Sequence, residues 1–327
     1  MKRFSPIPLF AVLAAGAIGA CSDGTAPATA SRSDARASQS ANSAEDLSDA
    51  SGITTIDVPG ATATVAFGIN NQGVVVGRYA SAGRTHGFAR SAEGELTTID
   101  FPGASLTVAA AVNSRGDIVG WYNLTASPTV RHGFLLRDGM FTTVDPPGSN
   151  STGALGINDR GDIVGRFCDR PVCRDLGNGD YRGFLLRDDV FTTVDVPGSA
   201  ETHAWDINDR GEFLGAFQTA GGEVDLFLIG RGNLTTFSLP NGKPVSNDNG
   251  GINARGDIVG KYCDVSPCLA GRPSAGHGFV LSDGRLTTID VPGALGTAAF
   301  GINARREVVG GYFDAGGALH GYVTRVK

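Results

Sequence analysis

The residues of this chain that could do chemistry are its cysteines, its histidines and a few aromatic residues set beside carboxylates. Five cysteines are present. Four of them form two pairs of equal spacing, Cys168-x4-Cys173 and Cys263-x4-Cys268. Each pair follows a similar triplet, Gly165-Arg166-Phe167 or Gly260-Lys261-Tyr262. In an oxidising compartment the expectation is two local disulfides. Each closes a loop of about six residues, which by chain entropy stabilises by roughly 2 kcal/mol. A four-cysteine zinc site is the alternative, opposed by the separation of the pairs. Four histidines, His86, His132, His277 and His320, precede Gly-Phe or Gly-Tyr. Residues that recur this way begin equivalent strands and are spread out, so strand-end hydrogen bonds are expected and a metal site is not. Three Arg-Gly-Asp triplets, at Arg115, Arg160 and Arg255, fall in a repeated turn and are read as turns, not as adhesive motifs.

Departures from the repeat are more informative. His203-Ala204-Trp205-Asp206 stands where an earlier copy has Gly153-Ala154-Leu155-Gly156. Trp121-Tyr122 is a second aromatic departure, ahead of a stretch read as a long loop, and Tyr262 precedes a longer one. Aromatic rings beside carboxylates can form a sugar-binding platform. The candidate ligand-binding residues are therefore His203, Trp205, Asp206, Trp121, Tyr122 and Tyr262. The alternative for Trp205 is that it fills a gap between repeats. No nucleophile motif, metal-ligand spacing or pair of carboxylates stands out, so no catalytic residue and no cofactor is assigned.

These residues are positioned by a repeat. Six copies run from Ile53 to Val326. The first marker, Thr-Thr-x-Asp-x-Pro-Gly, begins at Thr54, Thr97, Thr142, Thr192 and Thr287, with a degraded copy at Thr235. The second, Ile-Asn-x-x-Gly-x-x-x-Gly, carries Asn70, Asn113, Asn158, Asn208, Asn253 and Asn303, spaced by 43, 45, 50, 45 and 50 residues. The third is His-Gly-Phe or a variant. A period near 45 with four short strands per copy predicts an all-β, six-bladed β-propeller. No segment has the 3.6-residue apolar period of a helix. Consecutive apolar residues such as Ile163-Val164 suit strands covered on both faces. Small residues such as Ala109-Ala110-Ala111 place the first strand innermost. The domain opens on a fourth-type strand, Thr54 to Asp57, and ends on a third-type strand, His320 to Val326. Pairing of these two would close the ring and remove open edges; an open solenoid is the competing architecture.

The combined TTIDVPG…GIN..G.(I/V)VG.Y…HGF pattern resembles the HAF family of extracellular bacterial repeats. The resemblance spans nearly the whole repeat region, and implies export and a repeated β fold. Asp225-Leu226-Phe227 and Thr236-Phe237-Ser238 depart most from it.

The N-terminus reads as an export signal over residues 1–20. Lys2 and Arg3 precede an apolar stretch from Pro8 to Gly19 that is too short to span a bilayer. Ile18-Gly19-Ala20-Cys21 resembles a lipobox, which implies cleavage before Cys21 and its lipidation. Residues 21–52 are Ala/Ser-rich without periodicity and read as a disordered tether spanning roughly 30 Å. The folded domain is 53–327. The formal charge of −6 becomes −8 without Lys2 and Arg3, and no basic cluster remains. Nucleic acid is thus an unsuitable partner, and contact with a membrane is expected only through the anchor. The expectation is a monomeric, exported lipoprotein of the cell envelope, on the outer membrane or cell surface and otherwise secreted. Its domain would be a binding module for a glycan, peptide or surface protein on the long-loop face. An exported hydrolase or lyase on the same scaffold, or a structural envelope protein, is the alternative.

Overall fold

The computed structural model describes residues 52–173, 180–247, 249–265, 268 and 276–327; the signal segment, Cys21 and nearly all of the tether lie outside them. Every helix or strand among the described residues is a β-strand. The third repeat shows the construction. Its strands are Ser151–Ile157, Ile163–Cys168, Arg182–Arg187 and Val190–Val194, paired antiparallel in chain order. Asn158 to Gly161 turns the chain after the first strand, with Gly161 at φ +89°. Asp188 and Asp189, at φ +50° and +60°, turn it after the third. Left-handed residues at both central positions match the right-handed twist of the flanking strands.

The same four-strand order recurs over 63–99, 104–143, 201–237 and 251–289. The last repeat has three strands of its own, Gly296–Ile302, Glu307–Phe313 and Leu319–Arg325. Its fourth is Thr54–Ile56, antiparallel to Leu319–Arg325 with Thr55 opposite Tyr322. One expectation differs. The segment from Tyr122 to Arg131, read as a long loop, is strand on both sides of a short turn, with Leu124 opposite Ser127. Thr129 and Val130, both β-branched, favour the extended chain.

Packing is between neighbouring sheets. Ile163 and Val164 are both buried because each face of the sheet is covered by an adjacent repeat. Val119 and Val144 of the second repeat meet Ala154, Ile157 and Phe184 of the third in one apolar cluster. Ile56 and Val309 meet Ala66, Val75 and Phe88 of the first repeat in another. The second and third sequence markers meet inside each sheet. A Cβ on Gly165 would lie 2.1 Å from the Gly153 carbonyl oxygen and 2.7 Å from the Phe184 ring, so only glycine fits under that ring.

The first strands carry a β-bulge at the same place, between Ala66 and Gly68, Ala109 and Ala111, Ala154 and Gly156, Ala204 and Asp206, and Ala299 and Gly301. The bulged residues are Phe67, Ala110, Leu155, Trp205 and Phe300. A bulge re-aims a side chain out of the pleat. Here it sets these five beside one another along the inner strands.

Candidate functional site

The tight-turn end of the sheets is tied together by the asparagine of the second marker. Asn158 Oδ1 accepts the backbone N–H groups of Arg160 and Asp162, both at 3.0 Å. Its Nδ2 donates to Asp162 at 2.9 Å and to the Asn208 carbonyl of the next repeat at 3.3 Å. The inter-repeat bond recurs from Asn70 to Asn113, Asn113 to Asn158, Asn208 to Asn253 and Asn253 to Asn303. It then runs from Asn303 to the Asn70 carbonyl at 3.0 Å, returning to its start. The aspartates of the three Arg-Gly-Asp triplets, Asp117, Asp162 and Asp257, are buried in this network. Arg137 and Arg187 pair with the first two at 3.0 Å, and Arg306 with the third at 3.1 Å. Burial opposes the charge of Asp257, but bonds from Arg306, Ser282 and Asn253 outweigh it and hold its pKa down to about 2. An adhesive loop needs its aspartate exposed; these are not.

The recurring histidines serve a second network within single sheets. His86, His132, His277 and His320 donate from Nδ1 to Asp100, Asp145, Asp290 and Asp57. The first marker's aspartate thus holds a histidine of the strand beside it in four of the repeats. A tyrosine ring stacks on each imidazole, Tyr122 on His132 and Tyr262 on His277 among them. Their hydroxyls share hydrogen bonds of 2.9 Å with Thr143 and Thr288. Among the described residues no group of three His, Cys, Asp or Glu side chains is placed to hold a metal ion. Cys168 bonds to Cys173 and Cys263 to Cys268, as the spacing indicated.

The fourth repeat carries a buried polar string. His203 and Glu201 have 0 % side-chain exposure and meet at 2.7 Å. Arg166 of the third repeat donates to His203 Nδ1 at 3.2 Å, which leaves Nε2–H to donate to Glu201. Burial lowers the His203 pKa and outweighs the pull of Glu201, so the ring is neutral. With no exposed surface, the pair ties the fourth repeat to Arg166 of the third. Trp205 is 2 % exposed and lies over Gly250, where a Cβ would come within 2.8 Å of its ring. It fills the space left by the short first strand of the fifth repeat, Gly251–Ile252. Asp206 accepts the N–H groups of Ile207 and Ile252, both at 2.9 Å. Burial pushes its pKa up to about 7 against those two bonds.

Two recesses lie at opposite ends of the inner strands. The one beside the asparagines is small, about 90 Å³, and is bordered by Trp205 and Asp206. The other is about 360 Å³ and opens where the second strands end and the third begin. Phe67 and Phe300, with ring centroids 5.3 Å apart, belong to both and separate them. The larger cavity falls in the size range of small-molecule sites. Trp121, 9 % exposed, stands in its wall with the Arg131 guanidinium 5.5 Å from its ring centre. The rest of the wall includes Leu106, Phe313 and Leu319 with Arg78, Arg166 and Lys261.

The six candidate residues therefore do not converge. Trp121 is in the cavity, Tyr122 and Tyr262 brace strands, His203 is enclosed, and Trp205 and Asp206 lie toward the other end. The cationic residues of the cavity were not picked out from the sequence. For three of them, Arg78, Arg166 and Lys261, the signal is the residue after the second-strand glycine, a slot held in the other repeats by Trp121, Ala216 and Gly311. This slot varies from charged to absent inside an otherwise apolar strand.

No family model and no curated protein matches this chain. Solved structures do. A protein of unknown function from Dyadobacter fermentans has a TM-score of 0.53 at 11% identity, covering 85% of this chain and 98% of its own. A triple arginine-to-alanine mutant of AofleA from Arthrobotrys oligospora has a TM-score of 0.51 at 14% identity, over 84% and 87%. The β-propeller domain of the Trilobed protease from Pyrococcus furiosus has a TM-score of 0.49 at 11% identity, over 83% of each chain. The likeness is one of fold alone, that of an all-β chain.

Proposed function

We propose that this chain is a non-enzymatic binding module: a closed six-bladed β-propeller, built of HAF-type repeats, that holds a ligand in the cavity at its long-loop end. The observation that carries the reading is that cavity, about 360 Å³, walled by residues from five of the repeats. Closure is supported by the asparagine bonds that return to their start and by the pairing of Thr54–Ile56 with Leu319–Arg325. The two disulfides are compatible with an exported protein. Arg166 and Lys261 of the cavity wall each stand two residues before a bonded cysteine, so the bonds hold the ends of those two strands. Export on a lipid anchor at Cys21 and a tether would present this end to glycans, peptides or surface proteins outside the cell.

The test is a thermal-shift screen of the full-length chain against glycans, cell-envelope polymers and peptides. A ligand at about 100 times its dissociation constant adds roughly 2.7 kcal/mol. The reading expects a shift that Trp121→Ala abolishes and Trp205→Phe leaves in place. A shift insensitive to Trp121 would put the ligand elsewhere, and no shift with any class would remove the binding role.

A further inference from the structure

The same cavity holds one charge that no described residue balances. Its described lining contains four cationic side chains, Arg78, Arg131, Arg166 and Lys261, and no carboxylate. Three of these are engaged within the protein. Arg131 lies over Trp121, Arg166 bonds His203, and Lys261 also has a partner. Arg78 is different. It sits half-buried in Val75–Ser81 and makes no ion pair or hydrogen bond with any described residue. Burial lowers its pKa, and no acid among the described residues offsets that. A desolvated guanidinium without a partner opposes folding. The architecture does not require one, because Ala216 and Gly311 hold the matching slot in other repeats. The group is therefore placed for something that enters the cavity.

We propose that the cavity takes a carboxylate-bearing small molecule, with its carboxylate on the Arg78 guanidinium and its body against Leu106, Trp121, Phe313 and Leu319. This rests on the cavity being the ligand site. The planar fork of a guanidinium matches the two oxygens of a carboxylate. A single unpaired cation balances a single negative charge, which a carboxylate carries at neutral pH and a phosphate monoester exceeds. The predominantly apolar wall suits a ligand whose remainder is a hydrocarbon chain or the apolar face of a sugar ring. Acyl acids and uronic acids share this chemistry.

Two matched pairs of probes separate charge from body: octanoate against octanol, and glucuronate against glucose. Each is titrated calorimetrically into the full-length chain and into the Arg78→Gln and Arg78→Lys variants. One acid is expected to bind about tenfold or more tightly than its neutral partner, the scale of one charge-assisted pair. The pair that shows this names the source, acyl or sugar. Arg78→Gln should erase the preference without lowering the melting temperature, and Arg78→Lys should keep part of it. Equal binding of acid and neutral partner, or a preference that survives Arg78→Gln, overturns the inference while leaving the cavity a ligand site. Failure of all four probes also overturns it, and the broader binding reading is then judged by the polymer and peptide screen alone.

Discussion

Ile56 offers the cleanest test of whether the N-terminal strand closes the domain. It stands at 3 % exposure against Ala66, Val75, Phe88 and Val309. Ile99 occupies the matching place in the first repeat, at 5 % exposure, against Val76, Ala109 and Phe134. The backbones match as well: the Ile56 and Ile99 carbonyls lie 3.0 and 2.8 Å from where a Cβ on Gly321 or Gly87 would be. The one difference is covalent. Ile99 is joined to its sheet by a short turn, whereas Ile56 reaches its partner strand only by docking. Truncation of a buried isoleucine to alanine costs roughly 2–5 kcal/mol, from lost transfer energy and the cavity left behind. In a closed domain, Ile56→Ala and Ile99→Ala should cost the same within about 1 kcal/mol. For a domain of this size that corresponds to roughly 4–10 °C in melting temperature for each. Urea unfolding followed by far-UV circular dichroism, with calorimetry as a second probe, measures both. An Ile99→Ala variant that loses its full share while Ile56→Ala unfolds like the parent would refute closure, because an undocked strand has no burial to lose.

Three further outcomes follow from the same contacts. Asp206 has a folded pKa of about 7 against 3.8 unfolded, so the native state binds the extra proton between those values. Stability should fall by up to about 4 kcal/mol as pH rises across that window and level off above it; in Asp206→Asn this part of the slope, read from urea midpoints, should vanish. Burial opposes charge on His277, but hydrogen bonds to Asp290 and Asp264 outweigh it and raise its pKa above 6.5. Its contribution is complete below pH 6.5 and is lost as pH rises through the raised value; the imidazole resonance in NMR should titrate lower in Asp264→Asn, and an unchanged midpoint would remove that bond from the account. Gly165→Ala forces a methyl onto the Gly153 carbonyl and the Phe184 ring, and should destabilise by about 3 kcal/mol or prevent folding. A soluble variant with the parent's urea midpoint would show that the sheet can shift to admit it.

What the sequence determined by itself was whatever repeats. Strand order, the turns at Asn158 to Gly161 and at Asp188-Asp189, and the two disulfides follow from local patterns that recur at fixed spacing. Such patterns act over a few residues, and six copies reinforce each other. The sequence also placed Thr54–Ile56 beside the last strand, because its marker lacked a partner. Networks between strands were harder to see. That Asp145 accepts a hydrogen bond from His132, and that Asn158 reaches the Asn208 carbonyl, depends on which side chains face each other across strands and repeats. The site was the least legible part. Aromatic departures such as Trp205 stood out by type, yet a large residue in an inner strand is as well explained by a missing side chain opposite it, here at Gly250. Arg78 looked like an ordinary polar residue beside a glycine. Only the tertiary structure shows that its guanidinium lines a cavity where no described acid meets it, because solvation and partnership are properties of the assembled surroundings and not of the segment that carries the charge.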